Sequence, residues 1–245
     1  MVGEILLSQI GWLLLVTGIA FSVLQCTSRV NTTSPIPRDL ALISQISPFI
    51  LLTFCFVTDA KSLELVFRFG GEDLPLFYRI SAVWSSRAGP LLLWAALMAI
   101  VTRIMSTRVK GTPLEVKIMH TWVGFILLLS LMLGPFDETT STSASGLNPL
   151  LQTDLMVIHP PVVFAFYSLC IATSSVVIAG IIRRDSPITI HKSQLYWYGN
   201  CSSGLLAEAG VAWALYTDHT SSPLSCLASK MPTPDRLELG GGLIL

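Results

Sequence analysis

Charged side chains are scarce in this chain. They make up 12% of its 245 residues, against roughly 25% in soluble domains. That shortage excludes an aqueous surface on all sides, and a mean hydropathy of +0.67 agrees. The formal net charge is zero, which excludes a strongly basic nucleic-acid binder. The five cysteines show no CxxC, CxxCH or zinc-ligand spacing. Cys55 and Cys170 lie inside apolar runs and read as small hydrophobes. No Walker loop, dinucleotide fingerprint or nucleophile–base motif occurs. Leu24-Gln25-Cys26 is not a lipoprotein cleavage site, because Gln25 is too large for the position before such a cysteine. The first apolar run follows Glu4 rather than a basic segment, and no A-x-A site ends it, so it is expected to remain as an uncleaved anchor.

What the chain has instead is long apolar runs. A helix crossing about 30 Å of hydrocarbon needs roughly 20 apolar residues. Six segments, near 5–25, 40–58, 88–102, 118–136, 162–182 and 195–216, are expected to span. The fold class is therefore an all-α polytopic membrane bundle, one transmembrane domain over 1–216 followed by an outward-facing tail, 217–245. The third span is short, and Arg87 and Arg103 at its ends can snorkel to the two interfaces. The sixth carries Glu208 near its middle; Gly204, Ala207, Gly210 and Ala214 allow the close packing that would shelter it.

Six spans sort the loops onto alternating sides, and the charges separate accordingly. One side holds Arg29, Arg38, Arg103, Arg108, Lys110, Lys117, Arg183, Arg184 and Lys192 against Asp39, Glu115 and Asp185, a balance of +6. The other side comes to −5. By the positive-inside rule the first side is a bacterial cytoplasm or a mitochondrial matrix. The N-terminus, the 59–87 loop, the 136–161 loop and the tail then face outward.

The first outward loop alternates apolar residues at Leu63, Leu65, Phe67 and Phe69 with Glu64 and Arg68 on the opposite face. This period of two suggests a short strand on the membrane surface, but a loop pinned by its aromatics is the favoured reading. Tyr78 and Trp84, just before the third span, suit an interfacial aromatic belt. The second outward loop contains no Lys or Arg and ends at His159-Pro160-Pro161. Proline is tolerated in a first helical turn, so His159 is placed at or just before the start of the fifth helix. A neutral imidazole there, with Phe164, Phe166 and Tyr167 following, suits either a haem-iron ligand or a structural histidine bonded at a helix end. His120 and His191 fall on the inner side and read as interfacial or solvated, and Asp137 and Glu138 as a solvated outward pair.

Two blocks resemble a known family. Pro75–Trp84, continuing to Gly89 and Leu91-Leu92-Leu93-Trp94, is similar to a loop and third span of the CcmF/NrfE family of cytochrome c haem lyase subunits. Gly146-Leu147-Asn148-Pro149-Leu150-Leu151-Gln152 followed by Ile158-His159-Pro160-Pro161 resembles an early signature of the same family. The blocks come in the family's order and on one expected membrane side. The resemblance implies a subunit that presents haem b transiently for thioether attachment to the CxxCH thiols of apocytochrome c, with His159 as an axial ligand to the iron. Tyr78, Arg79 and Trp84 of the first block, and Asn148, Gln152, Pro160 and Pro161 of the second, are the other candidate contacts to that haem. The implied partners are a haem chaperone, other haem lyase subunits and apocytochrome c, in a bacterial inner membrane with His159 on the periplasmic side, or in a mitochondrial inner membrane.

The chain departs from the family pattern in two places. Where members carry an N/A-H-E-G-S stretch, it reads Ser86-Arg87-Ala88-Gly89-Pro90. Where a tryptophan-rich W-G-G-x-W-F-W-D segment should follow the sixth span, it reads Thr217-Asp218-His219-Thr220. His219 faces outward and is a second candidate iron ligand that no family motif covers. The departures imply a component that is not catalytically complete alone, paired with a second chain that bears the tryptophan-rich segment. The competing readings are a truncated, non-catalytic assembly partner and a small membrane transporter.

Overall fold

The computed structural model describes residues 2–27, 36–107, 111–144, 146–148 and 152–184, together with Gly199 and Gly204. Apart from those two glycines, the expected sixth span at 195–216 with Glu208, along with His191, His219 and the tail 217–245, lies outside the described residues. Seven α-helices follow in order: α1 (Val2–Thr27), α2 (Ile36–Val57), α3 (Glu64–Phe69), α4 (Leu76–Ala82), α5 (Ala88–Thr107), α6 (Pro113–Met132) and α7 (Asp154–Arg183), with a 3₁₀ turn at Val83–Ser85 before α5. Five of them, α1, α2, α5, α6 and α7, are long and apolar enough to cross a membrane. Their outer surface is apolar: Leu13, Ile43, Phe54, Met132 and Ile181 are all more than half exposed. Such a surface is stable only against lipid or further protein. The chain is a multi-pass, all-α membrane bundle.

Helices α5 and α6 sit centrally, with α1 and α2 packed on one flank and α7 on the other. One apolar core runs from Leu15, Leu52, Leu92, Met98 and Leu127 out to Leu63, Val66, Phe136 and Leu147 of the loops. A smaller cluster of Met105, Met119, Ala172 and Val176 fills the opposite end between α5, α6 and α7. The fourth span starts at Pro113, earlier than expected, because Thr112 and Glu115 form a capping box around a first-turn proline.

Pairing of charges follows the sides assigned from sequence. At one end Arg103 binds Asp39 at 2.6 Å and Arg183 binds the buried Glu115 at 3.2 Å. At the other, Lys61 bridges Asp59 and Glu72, and Arg68 binds Glu64. Arg103, at one end of the third span, pairs there with Asp39 of α2.

Between the ends, polar side chains join three helices. Gln45 of α2 donates through Nε2 to Ser22 Oγ of α1 at 2.8 Å, and the same nitrogen lies within hydrogen-bond distance, 3.1 Å, of His120 Nδ1 of α6. Gly18 approaches the Ser44 carbonyl, and Gly124 approaches the Ser22 side chain, so the backbones lie close enough for these bonds. His120 is thus buried inside the bundle, not interfacial or solvated as its position at the end of an apolar run implied. Its partner lies on another helix.

Residues 64–69 form a helical turn and a half, neither the loop nor the strand considered from the sequence. Leu63 and Val66 both face the core, a spacing of three that an alternation of two conceals in so short a window. Glu64 fastens this segment to the loop after α6. Its carboxylate accepts from Thr140 N at 3.0 Å and Ser141 N at 3.3 Å, from the Ser141 hydroxyl, and from Arg68 Nε at 2.5 Å. Backbone bonds from Glu64 N to Asp137 O and from Thr139 N to Ser62 O, both 2.9 Å, complete the junction. The Ser141 hydroxyl chiefly, with the two backbone N–H groups and Arg68 behind it, holds the Glu64 carboxyl down from its ordinary 4.5 to about 2.

With the folded carboxyl titrating near 2 and the unfolded one near 4.5, the folded state binds fewer protons between those values. Glu64 therefore contributes its full stabilisation above about pH 4.5 and loses it as the pH falls toward 2. We expect proteolysis of the 133–148 loop in detergent to accelerate across that window, and Glu64→Gln to remove most of the acid dependence while weakening the junction at neutral pH. Identical acid profiles for the two proteins would refute this role.

Candidate functional site

The approach to α5 is a tight corner built from small residues. Ser86 Oγ accepts the Gly89 backbone N–H at 3.0 Å and donates to the Val83 carbonyl at 3.2 Å, capping the start of the helix. At Gly89 a Cβ would fall 1.8 Å from the Val83 carbonyl oxygen, so only glycine permits the approach. The serine and glycine of Ser86-Arg87-Ala88-Gly89-Pro90 thus hold the corner. The turn immediately before it carries Trp84.

The opposing element is the outer end of α7. This helix starts at Asp154, so His159 lies in its second turn rather than at or before its first residue, and Pro160 and Pro161 are interior. Proline in a helix interior removes the bond to the carbonyl four residues earlier and usually breaks the helix. Here the carbonyl left without a donor by Pro160 is that of Met156, and it accepts the indole N–H of Trp84 at 2.6 Å. The indole thus supplies from another segment the donor that Pro160 lacks. That bond joins the two sequence blocks three residues from His159.

The His159 ring is partly buried, and its Nδ1 is buried with no hydrogen-bond partner among the described residues. No group of three or more His, Cys, Asp or Glu side chains able to hold a bare metal ion occurs among the described residues. A lone imidazole cannot cage an ion. It can serve as an axial ligand to a metal whose equatorial nitrogens come from a porphyrin. The next turns of α7 add an aromatic cluster with α5: Trp94 lies 5.9 Å from both Phe164 and Tyr167, and Tyr167 lies 5.6 Å from Phe166. With Nδ1 buried, Nε2 is the nitrogen that could meet a haem iron, and the aromatic cluster begins five residues further along α7.

The other candidates divide. Tyr78 is partly buried and packs on the core. The Arg79 guanidinium donates to the carbonyls of Leu74 (2.9 Å), Val57 (3.1 Å) and Glu72, which fastens its loop to the last residue of α2. Asn148 and Gln152 are exposed, and Gln152 Nε2 donates to the Leu147 carbonyl at 3.2 Å. Residues 149–151 of the second block lie outside the described residues. Sequence reasoning missed the Trp84–Met156 bond, although a proline at 160 signals an orphan carbonyl at 156. It also missed Trp94, whose helical spacing looks like ordinary core.

Residues 84–217 match the sequence profile of the family described as "Cytochrome C assembly protein". Over 189 residues the chain is 30% identical to the cytochrome c-type biogenesis protein CcmF of Pseudomonas fluorescens, covering 68% of this chain and 28% of that protein. It is 28% identical to CcmF of Escherichia coli strain K12 over 57% of this chain and 23% of that one. It is 26% identical to the biogenesis protein NrfE of Haemophilus influenzae over 68% of this chain and 28% of that one. The chain spans about a quarter of the length of these curated relatives. No solved structure matches it.

Gly89→Ala should force the Val83 carbonyl aside at a cost of about 1–3 kcal/mol, the usual penalty for overpacking. A lowered thermal midpoint in detergent is the expected result, and an unchanged one would mean that the corner has room to relax.

Proposed function

We propose that this chain, which belongs to the cytochrome C assembly protein family, takes part in cytochrome c maturation by presenting haem for covalent attachment to apocytochrome c. The observation that carries the proposal is His159, whose Nδ1 is buried without a partner among the described residues, on a helix end held by Trp84. In this reading haem is the substrate and His159 is an axial ligand to its iron. The ligand's task is orientation, so that the vinyl edge meets the two thiols of the acceptor sequence; catalysis is then largely positioning. Haem itself supplies the reacting vinyl groups.

Trp94 of α5 with Phe164 and Tyr167 of α7 would give the porphyrin an aromatic neighbour. Tyr78, Arg79 and Trp84 shape the rim. The charge distribution supports an orientation with His159 outward: at the periplasmic face of a bacterial inner membrane or, by the same topology, at the intermembrane face of a mitochondrial one. A haem chaperone would deliver the substrate. Other lyase subunits would complete the reaction centre.

Purified with haem in detergent, the chain should give a six-coordinate or imidazole-ligated absorbance spectrum. His159→Ala should lose it and, with exogenous imidazole, regain part of it. An unaltered spectrum in His159→Ala would remove the central residue from the scheme.

A further inference from the structure

We infer that Trp84 acts on the haem site through the backbone, as a positioning residue that holds the His159 turn of α7 in place by replacing a hydrogen bond that Pro160 cannot make. The inference deepens the proposed haem reading, and its first test does not depend on that reading. The indole Nε1 lies 2.6 Å from the Met156 carbonyl oxygen, the atom to which residue 160 would donate if it had an N–H. Trp84 stands in a 3₁₀ turn whose far side is fixed by the Ser86–Gly89 cap, so the donor is itself rigid. Met156 and His159 are separated by three residues, within one helical turn, so a displaced Met156 carbonyl tilts the turn that carries the imidazole.

This differs from a role as direct haem contact. The N–H of Trp84 is spent on the carbonyl, which leaves the indole without a polar group to offer a ligand. The side chain also packs against the apolar core with Tyr78 and Trp94. Loss of the N–H should therefore be compensated by restoring the backbone bond, whereas loss of a haem contact should not.

A double-variant experiment on the full chain decides between the two. In the haem-free protein, Trp84→Phe should accelerate deuterium exchange of the Ile158, His159, Val162 and Val163 amides by about five- to tenfold, the loss expected when a buried carbonyl is left unpaired. Pro160→Ala returns an N–H to Met156, so the Trp84→Phe/Pro160→Ala protein should exchange at nearly the rate of Pro160→Ala alone. No acceleration in Trp84→Phe, or equal acceleration in both backgrounds, overturns the inference whether or not haem binds. In the haem-loaded protein, Trp84→Phe should shift the spectrum toward five-coordinate, high-spin character, and Pro160→Ala should reverse the shift. A shift that persists in the Pro160→Ala background assigns Trp84 to direct contact and also overturns the inference. If the parent chain binds no haem, the functional reading fails, and the exchange comparison still decides the role of Trp84.

Discussion

The carbonyl oxygen of Met156 has no helical donor because residue 160 is a proline, and an indole from another segment answers it. Within hydrocarbon an unpaired backbone group costs several kcal/mol, so a proline in a spanning helix is best tolerated where another donor reaches the carbonyl it frees. The same need arises at Pro48 inside α2, which leaves the Ser44 carbonyl free; there the Ser47 hydroxyl donates at 3.1 Å from within the helix. The two solutions differ in consequence. Ser47 repairs its own helix and binds nothing else together. Trp84 repairs a helix from outside it, and so makes the geometry of α7 depend on the corner before α5.

That dependence extends into the outer face as a whole. The 59–87 and 133–148 segments are joined by backbone bonds and by the Glu64 carboxylate. Phe136 is packed beneath them on Gly11 of α1, and its carbonyl accepts from Ser8 Oγ at 2.8 Å. The candidate site is therefore carried by helix ends and capped turns rather than by free loops, which suits a function of positioning a large planar substrate.

Much of this was legible in the sequence, for reasons that differ by residue. Five of the six expected spans follow from apolar runs, the sixth lying outside the described residues, and the Asp39–Arg103 and Glu115–Arg183 pairs form within one of the charge groups read from the chain. The start of α7 was not legible: prolines at 160 and 161 look like a first turn unless a donor for Met156 is known, and that donor lies 72 positions away. The segment 64–69 was misread because six residues carry too little periodicity to distinguish a helix from a loop or a strand. His120 was misread for a similar reason, since its environment is set by Ser22 and Gln45 on two other helices.

The contact of Gln45 with Ser22 and His120 bears on how the bundle assembles. Apolar helices slide past one another in lipid at little cost, because one hydrocarbon neighbour resembles the next. A glutamine amide allows no such freedom. Shifted by one turn, about 5.4 Å, it would lose its bond to Ser22 and its contact with His120. The three side chains thus act as a vernier between α1, α2 and α6, setting the depth at which each helix comes to rest and, with it, the level at which the outer face is built.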